Sequence, residues 1–285
     1  MSGTRPALVI AAHGSKSEGW AAAIHAFAAE VAETPGVRDA FAAVEAAFIE
    51  SSAPRIPDAV RMALSSGCSE VVVVPLFLSV SAHVGEDLPG LLGLPVPEHV
   101  RRRLVAEGQQ PLASGLAVRL IHVGALEDLL FRNILRRTSL ARRYPAHEAV
   151  VLCAYGSALH HDAWEALMHT LRTRLMRWGF GYACHAWVGH VVGMSPEPTA
   201  QAVLEAGRMA GVQRVHVVPL LMAVGTLQTL TIAAAVGDAE KRGRLQVIYQ
   251  SDAILPDGDL AARVGFRALE ALGLFPSLGG SGAKA

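Results

Sequence analysis

A chain of 285 residues, 52% of them hydrophobic, has length for one large α/β domain or two of roughly 140 residues, and ample material for a core. Its 25 basic and 25 acidic side chains cancel, which argues against a general nucleic-acid partner or an anionic membrane surface and leaves any anionic ligand to local clusters. Cys68, Cys153 and Cys184 have no CxxC spacing, the start MSGTRPALVIAAHGS lacks a signal-peptide pattern, and no apolar run approaches the ~18 residues of a membrane span, so a reducing cytoplasm is expected.

Short β-branched runs alternate with helical periodicity from the start. ALVIAA (7–12) precedes a helix at 18–34, AAVEAAFIE (42–50) one at 55–66, EVVVVPLFL (70–78) one at roughly 86–106, and AVRLIHV (117–123) one at 126–138. The series then restarts: AVVLCAY with a helix at 162–178, YACHAWVGH with 197–210, RVHVVPL with 226–242 and LQVIYQ with 258–272. Strand-helix alternation of this kind implies parallel sheets covered on both faces. At an offset near 143 the halves superpose, AAHGS on CAYGS, SGCSEVVVVPLFL on AGVQRVHVVPLLM and Pro54 on Pro198. The expected fold class is therefore α/β, two tandem parallel-sheet domains flanked by helices: 1–142, then 143–275, then a disordered tail at 276–285. A basic stretch, RRTSLARRYPAHE, joins the two.

Open parallel sheets bind ligands beyond the carboxyl ends of their strands. The first half puts a polar residue at three such ends: His13 after strand one, Glu50 closing strand two, and His83 after strand three in LFLSVSAHVGEDLP. Two imidazoles and a carboxylate suit a borderline divalent ion and leave coordination positions open; a free imidazole also accepts protons near neutral pH. Read singly, each is an ordinary loop residue. Gly14 and Ser15 suit the strand-to-helix turn, Gly14 through its backbone freedom and Ser15 as a cap, and Lys16 is placed to meet a ligand carboxylate.

With HGS after the first strand, FIE followed by Pro54, and VVVVPLFLS leading to His83 and EDLP, residues 7–138 resemble the class II chelatases, of the sirohydrochlorin cobaltochelatase and ferrochelatase type. The resemblance implies insertion of a divalent metal into sirohydrochlorin, for cobalamin or siroheme. His13 and His83 would be its metal-binding and proton-accepting histidines and Glu50 the accompanying carboxylate. The metal is then a substrate, Co²⁺ or Fe²⁺, with Ni²⁺ and Zn²⁺ compatible with the same donors. No GxxxxGK[ST] loop is present, which agrees with an activity that uses no nucleotide. The competing readings are a chelatase for a heme-type porphyrin and a carrier that binds metal or tetrapyrrole without turnover. The tetrapyrrole's carboxylates call for basic groups at the rim, for which Arg55, Arg101, Arg102, Arg103, Arg132, Arg136 and Arg137 are the candidates.

On the same alignment Tyr155 replaces His13, Met194 falls opposite Glu50 and Leu227 opposite His83, so the second copy lacks the whole ligand set. It is expected to wall the crevice, with Tyr155 against the substrate. The alternative is a second site of its own from His160, His161, His185 or His190, one of which, His190, a small register error would bring to the Met194 position. His216, inside RVHVVPL, reads as a sheet histidine. A chain carrying both copies is expected to act as a monomer or a homodimer.

Overall fold

The computed structural model describes residues 4–78, 81, 83–138 and 144–274. In chain order the first half holds β1 (Ala7–Ala12), α1 (Glu18–Ala32), the short α2 (Val37–Ala40), β2 (Ala43–Phe48), α3 (Ile56–Ser65), β3 (Val71–Pro75), α4 (Leu88–Leu91), α5 (Glu98–Ala106), β4 (Val118–Leu120) and α6 (Glu127–Arg137). The second holds β5 (Glu148–Ala154), α7 (His161–Trp178), β6 (Tyr182–Trp187), α8 (Glu197–Gly207), β7 (Arg214–Leu220), α9 (Ala233–Gly243), β8 (Gln246–Tyr249) and α10 (Gly258–Ala271). Each half is a four-stranded parallel sheet, ordered β2-β1-β3-β4 and β6-β5-β7-β8.

One expectation changes in form. The single helix at 86–106 is a widened turn at His83–Asp87 running into α4, then a break, then α5. Pro95 and Pro97 lie in that break, where proline supplies no amide hydrogen to continue a helix. A second widened turn, Leu227–Ile232, opens α9 at the corresponding place in the second half. The basic joining stretch includes residues 139–143, and the tail 275–285; both lie outside the described residues.

Strand alternation sorts the core into three parts. Ala7, Val9 and Ala11 face α3, α4 and α5 in a core private to the first half, and Ala149, Val151 and Cys153 face α8 and α9 in one private to the second. Leu8, Ile10, Val150 and Leu152 share a central core with α1, α6, α7 and α10. The last helices cross over. α10 packs on α1 and α2 of the first half, while α6 packs on α7 of the second. Asn133 in α6 donates to the Ile254 carbonyl at 3.0 Å and to Asp257 at 2.7 Å, and Arg137 donates to Asp252 at 2.9 Å. Asp257 in turn caps α10 by accepting from the Leu260 amide at 3.1 Å.

Candidate active site at the carboxyl ends of the first sheet

β1 lies between β2 and β3, so the connections leaving β1 and β3 diverge to opposite faces and open a crevice at the carboxyl edge. His13, Glu50 and His83 all stand there. The imidazoles of His13 and His83 meet edge to face with centroids 4.7 Å apart, and His13 Nε2 is 3.7 Å from Glu50 Oε1. All three side chains are partly exposed, so a ligand can reach them.

Backbone contacts set this convergence. The Glu50 amide donates to the His13 carbonyl at 2.9 Å. Gly14 has φ +102°, and a Cβ there would lie 1.7 Å from the Glu50 carbonyl oxygen. Only glycine lets the two loops touch, a requirement beyond the turn itself. Ser15 builds the same loop: its amide donates to Ser52 Oγ at 3.1 Å, Ser52 Oγ donates back to the Ser15 carbonyl at 2.8 Å, and Ser15 Oγ accepts from the Ser17 amide. α1 starts beyond it, with Ser17 at the N-cap position and no side-chain cap, so Ser15 ties loop to loop instead of capping the helix. Lys16 is exposed at the mouth and pairs with no described residue.

The ring nitrogens are oriented from behind. His13 Nδ1 donates to the Gly14 carbonyl at 3.0 Å, and His83 Nδ1 donates to Asp87 Oδ2 at 2.6 Å. Each histidine therefore keeps Nε2 for a ligand. Arg103 donates to the other Asp87 oxygen at 2.6 Å. Burial alone would push the Asp87 carboxyl up, but the hydrogen bonds from His83 and Arg103 outweigh it and hold it below the ordinary carboxylate range. Asp87 was missed by the sequence reading. Its signal was available: His83 and Asp87 are four residues apart, the spacing that faces side chains together on a helical turn. Among the described residues no group of three or more His, Cys, Asp or Glu side chains is arranged to hold a metal ion, so His13, His83 and Glu50 converge without forming a coordination set.

Most of the candidate basic residues serve the fold. Arg55 bonds Gln109, Arg103 bonds Asp87, Arg132 and Arg136 bond Asp259, and Arg137 bonds Asp252; Arg101 and Arg102 are exposed on α5. Burial pushes the Cys153 and Cys184 thiols up to about 12, which removes them as nucleophiles at neutral pH.

The second half presents Tyr155 at the place of His13. Burial, and after it the charge of Glu50, raises its hydroxyl above the ordinary phenol value. Leu227 opens the second widened turn as His83 opens the first, in line with the alignment. The pairing of Met194 with Glu50 is corrected by strand register. Ala12 pairs with Phe48 and Ala154 with Trp187, so Gly189 stands opposite Glu50 and His190 follows it. Gly189 packs so closely on Tyr155 that a Cβ would meet its carbonyl oxygen at 2.5 Å, and the His190 ring lies 5.9 Å from the tyrosine ring. His185 and His161 both approach Glu165, at 3.3 and 3.9 Å, and meet the Trp187 ring edge to face. His216 is buried in the sheet, 3.0 Å from Glu148. No helix among the described residues is long and apolar enough to cross a membrane.

A family model, CbiX, matches residues 7–139. Among curated proteins, the chain is similar to the sirohydrochlorin cobaltochelatase of Methanocaldococcus jannaschii, 38% identical over 93 residues, which are 33% of this chain and 62% of that one. It is also similar to the sirohydrochlorin cobaltochelatase of Methanococcus maripaludis, 32% identical over 88 residues, 31% of this chain and 58% of that one. The chain thus spans less than two thirds of the length of either relative. In three dimensions it resembles SirB from Bacillus subtilis with Fe³⁺ at a TM-score of 0.66 and 17% identity, covering 95% of this chain and 99% of that one. At that identity the likeness shows the fold, across both halves.

Proposed function

We propose that this chain, whose residues 7–139 match the CbiX family model, inserts a divalent metal ion, Co²⁺ or Fe²⁺, into sirohydrochlorin without a nucleotide. The observation that carries the reading is the convergence of His13, His83 and Glu50 in one accessible crevice, with both histidines oriented through Nδ1.

Insertion requires three things of the protein: water stripped from the ion, a macrocycle bent so that its nitrogen lone pairs face the metal, and two pyrrole protons removed. Two Nε2 atoms and a carboxylate replace water ligands while leaving positions free for the incoming nitrogens. An open set suits an ion that must leave, since a closed cage would retain it. Once the ion has passed on, the same imidazoles and Glu50 are available as proton acceptors. Arg103 and Asp87 hold His83 in the tautomer that keeps Nε2 unprotonated. Tyr155 and the turn after β6 form the facing wall, with Ser15 and Lys16 at the mouth for a substrate carboxylate. One chain supplies both walls, so a monomer suffices, acting in the cytoplasm.

The test is anaerobic absorbance of sirohydrochlorin with Co²⁺, Fe²⁺ and Ni²⁺, comparing the wild type with His13→Ala and His83→Ala. The expected result is acceleration over the spontaneous rate by the wild type and none by either variant, with unchanged circular dichroism because both residues lie outside the core. A wild type that binds the macrocycle without inserting metal would refute the reading and favour a carrier.

A further inference from the structure

The two halves differ in how the loops leaving their first two strands are joined. In both, one backbone bond extends the pairing beyond the strands: the Ile49 amide donates to the Ala12 carbonyl and the Val188 amide to the Ala154 carbonyl, each at 2.9 Å. In the first half the joining runs on through three residues. The Glu50 amide donates to the His13 carbonyl at 2.9 Å, Gly14 lies against the Glu50 carbonyl, and Ser52 Oγ accepts from the Ser15 amide at 3.1 Å while donating to the Ser15 carbonyl at 2.8 Å. Ser51, at φ +60°, and a 2.7 Å bond from the Ser52 amide to the Glu50 carbonyl fold the chain back so that Ser52 reaches Ser15.

The second half uses the corresponding groups locally. Ser157, in the place of Ser15, accepts from the His160 amide, and Ser195, in the turn after β6, accepts from the Glu197 amide. Gly156, in the place of Gly14, lies against the side chains of Trp187 and Val191. The second sheet nevertheless keeps the same strand order and the same pairing of its first two strands. The fold therefore forms without the clasp, which accompanies the half that carries His13 and Glu50.

A hydroxyl has one proton to give and lone pairs to accept with, so Ser52 Oγ alone satisfies both backbone groups of Ser15. The loop it grips carries His13, whose Nδ1 is set by the Gly14 carbonyl at 3.0 Å, and the turn it belongs to carries Glu50. The clasp fixes the two backbones from which His13 Nε2 and Glu50 Oε1 approach to 3.7 Å. We propose that Ser52 is a positioning residue for metal transfer, holding His13 and Glu50 at the spacing from which they act on the ion together. The inference rests on the chelatase reading for the reaction it serves.

The test compares full-length Ser52→Ala and Ser52→Thr with the wild type, by calorimetric titration with Co²⁺ alone and by initial rates of Co²⁺ insertion into sirohydrochlorin. Ser52→Ala is expected to weaken Co²⁺ binding and to lower kcat, each about tenfold, with KM for sirohydrochlorin and thermal unfolding unchanged. Ser52→Thr keeps the hydroxyl and is expected to restore most of both. Unchanged Co²⁺ affinity and kcat in Ser52→Ala would overturn the clasp. So would a loss that Ser52→Thr shares in full, or a Ser52→Ala chain that fails to fold, since the hydroxyl would then serve the fold. A wild type that inserts no metal, with Co²⁺ binding still weakened by Ser52→Ala and restored by Ser52→Thr, refutes the chelatase reading and leaves the clasp standing.

Discussion

Asp87 shows what one side chain contributes behind the candidate ligands. It joins the fixed cation of Arg103 to the Nδ1 of His83, at 2.6 Å on each side, and its depressed pKa keeps it ionised through the neutral range. Asp87→Asn removes the charge while keeping the shape, and its amide can offer Nδ1 a donor where the carboxylate offered only acceptors. The expected outcome is a fall in metal insertion of about 10- to 100-fold with the fold retained, measured as initial rates beside near-ultraviolet circular dichroism. A rate equal to the wild type's would show that His83 needs no such orientation. His13, Glu50 and His83 were legible in the sequence because each follows the end of an apolar run. Asp87 was passed over inside EDLP because its role depends on a helical turn that strand logic does not anticipate.

At the level of elements, the second sheet carries an internal polar link. Glu148 on β5 accepts from His216 on β7 at 3.0 Å, both almost fully buried, and Arg214 reaches the same carboxylate. Burial lowers the His216 pKa below 6.5, with Glu148 opposing that shift only in part, and His185 is shifted the same way by burial. A folded-state value below the unfolded one means that the unfolded chain binds the proton more readily. The stability these groups give is complete above pH 6.5 and is lost as the pH falls through that value toward their folded pKa. The melting temperature is therefore expected to drop on acidification across this window, and His216→Gln to make that drop shallower. An identical slope in the variant would assign the acid loss to other groups. The break between α4 and α5 belongs to the same scale: helical periodicity ran through it, and the two prolines decided otherwise.

Across the whole molecule, the halves are repeats in sequence that cannot be separated as packed bodies. The central core takes residues from both sheets, and α10 covers α1 of the first half while α6 turns to α7 of the second. Cutting at the boundary read from the repeat removes α10 from the first half and leaves buried apolar residues such as Ile24 and Phe27 short of cover. A fragment of residues 1–142 is expected to self-associate or precipitate, in contrast to the full chain under identical conditions, as read by size-exclusion chromatography with light scattering. A monodisperse monomeric fragment would show that the private core of the first half suffices. The same packing lets the charge of Glu50, in the first half, act on the Tyr155 hydroxyl of the second.

The sequence by itself determined the parallel α/β architecture, the duplication and the three polar residues at the strand ends, because strand and helix periodicities and their terminating residues are local properties of the chain. It also marked Tyr155 as the departure in the second copy, although the partner of Glu50 there was misassigned by counting through a turn of different length. Tertiary structure alone decided that Gly189 stands at that place, that Asp87 and Arg103 orient His83, and that the last helices cross over. Each of these depends on strand register or on contacts between residues far apart in the chain, which local pattern does not encode.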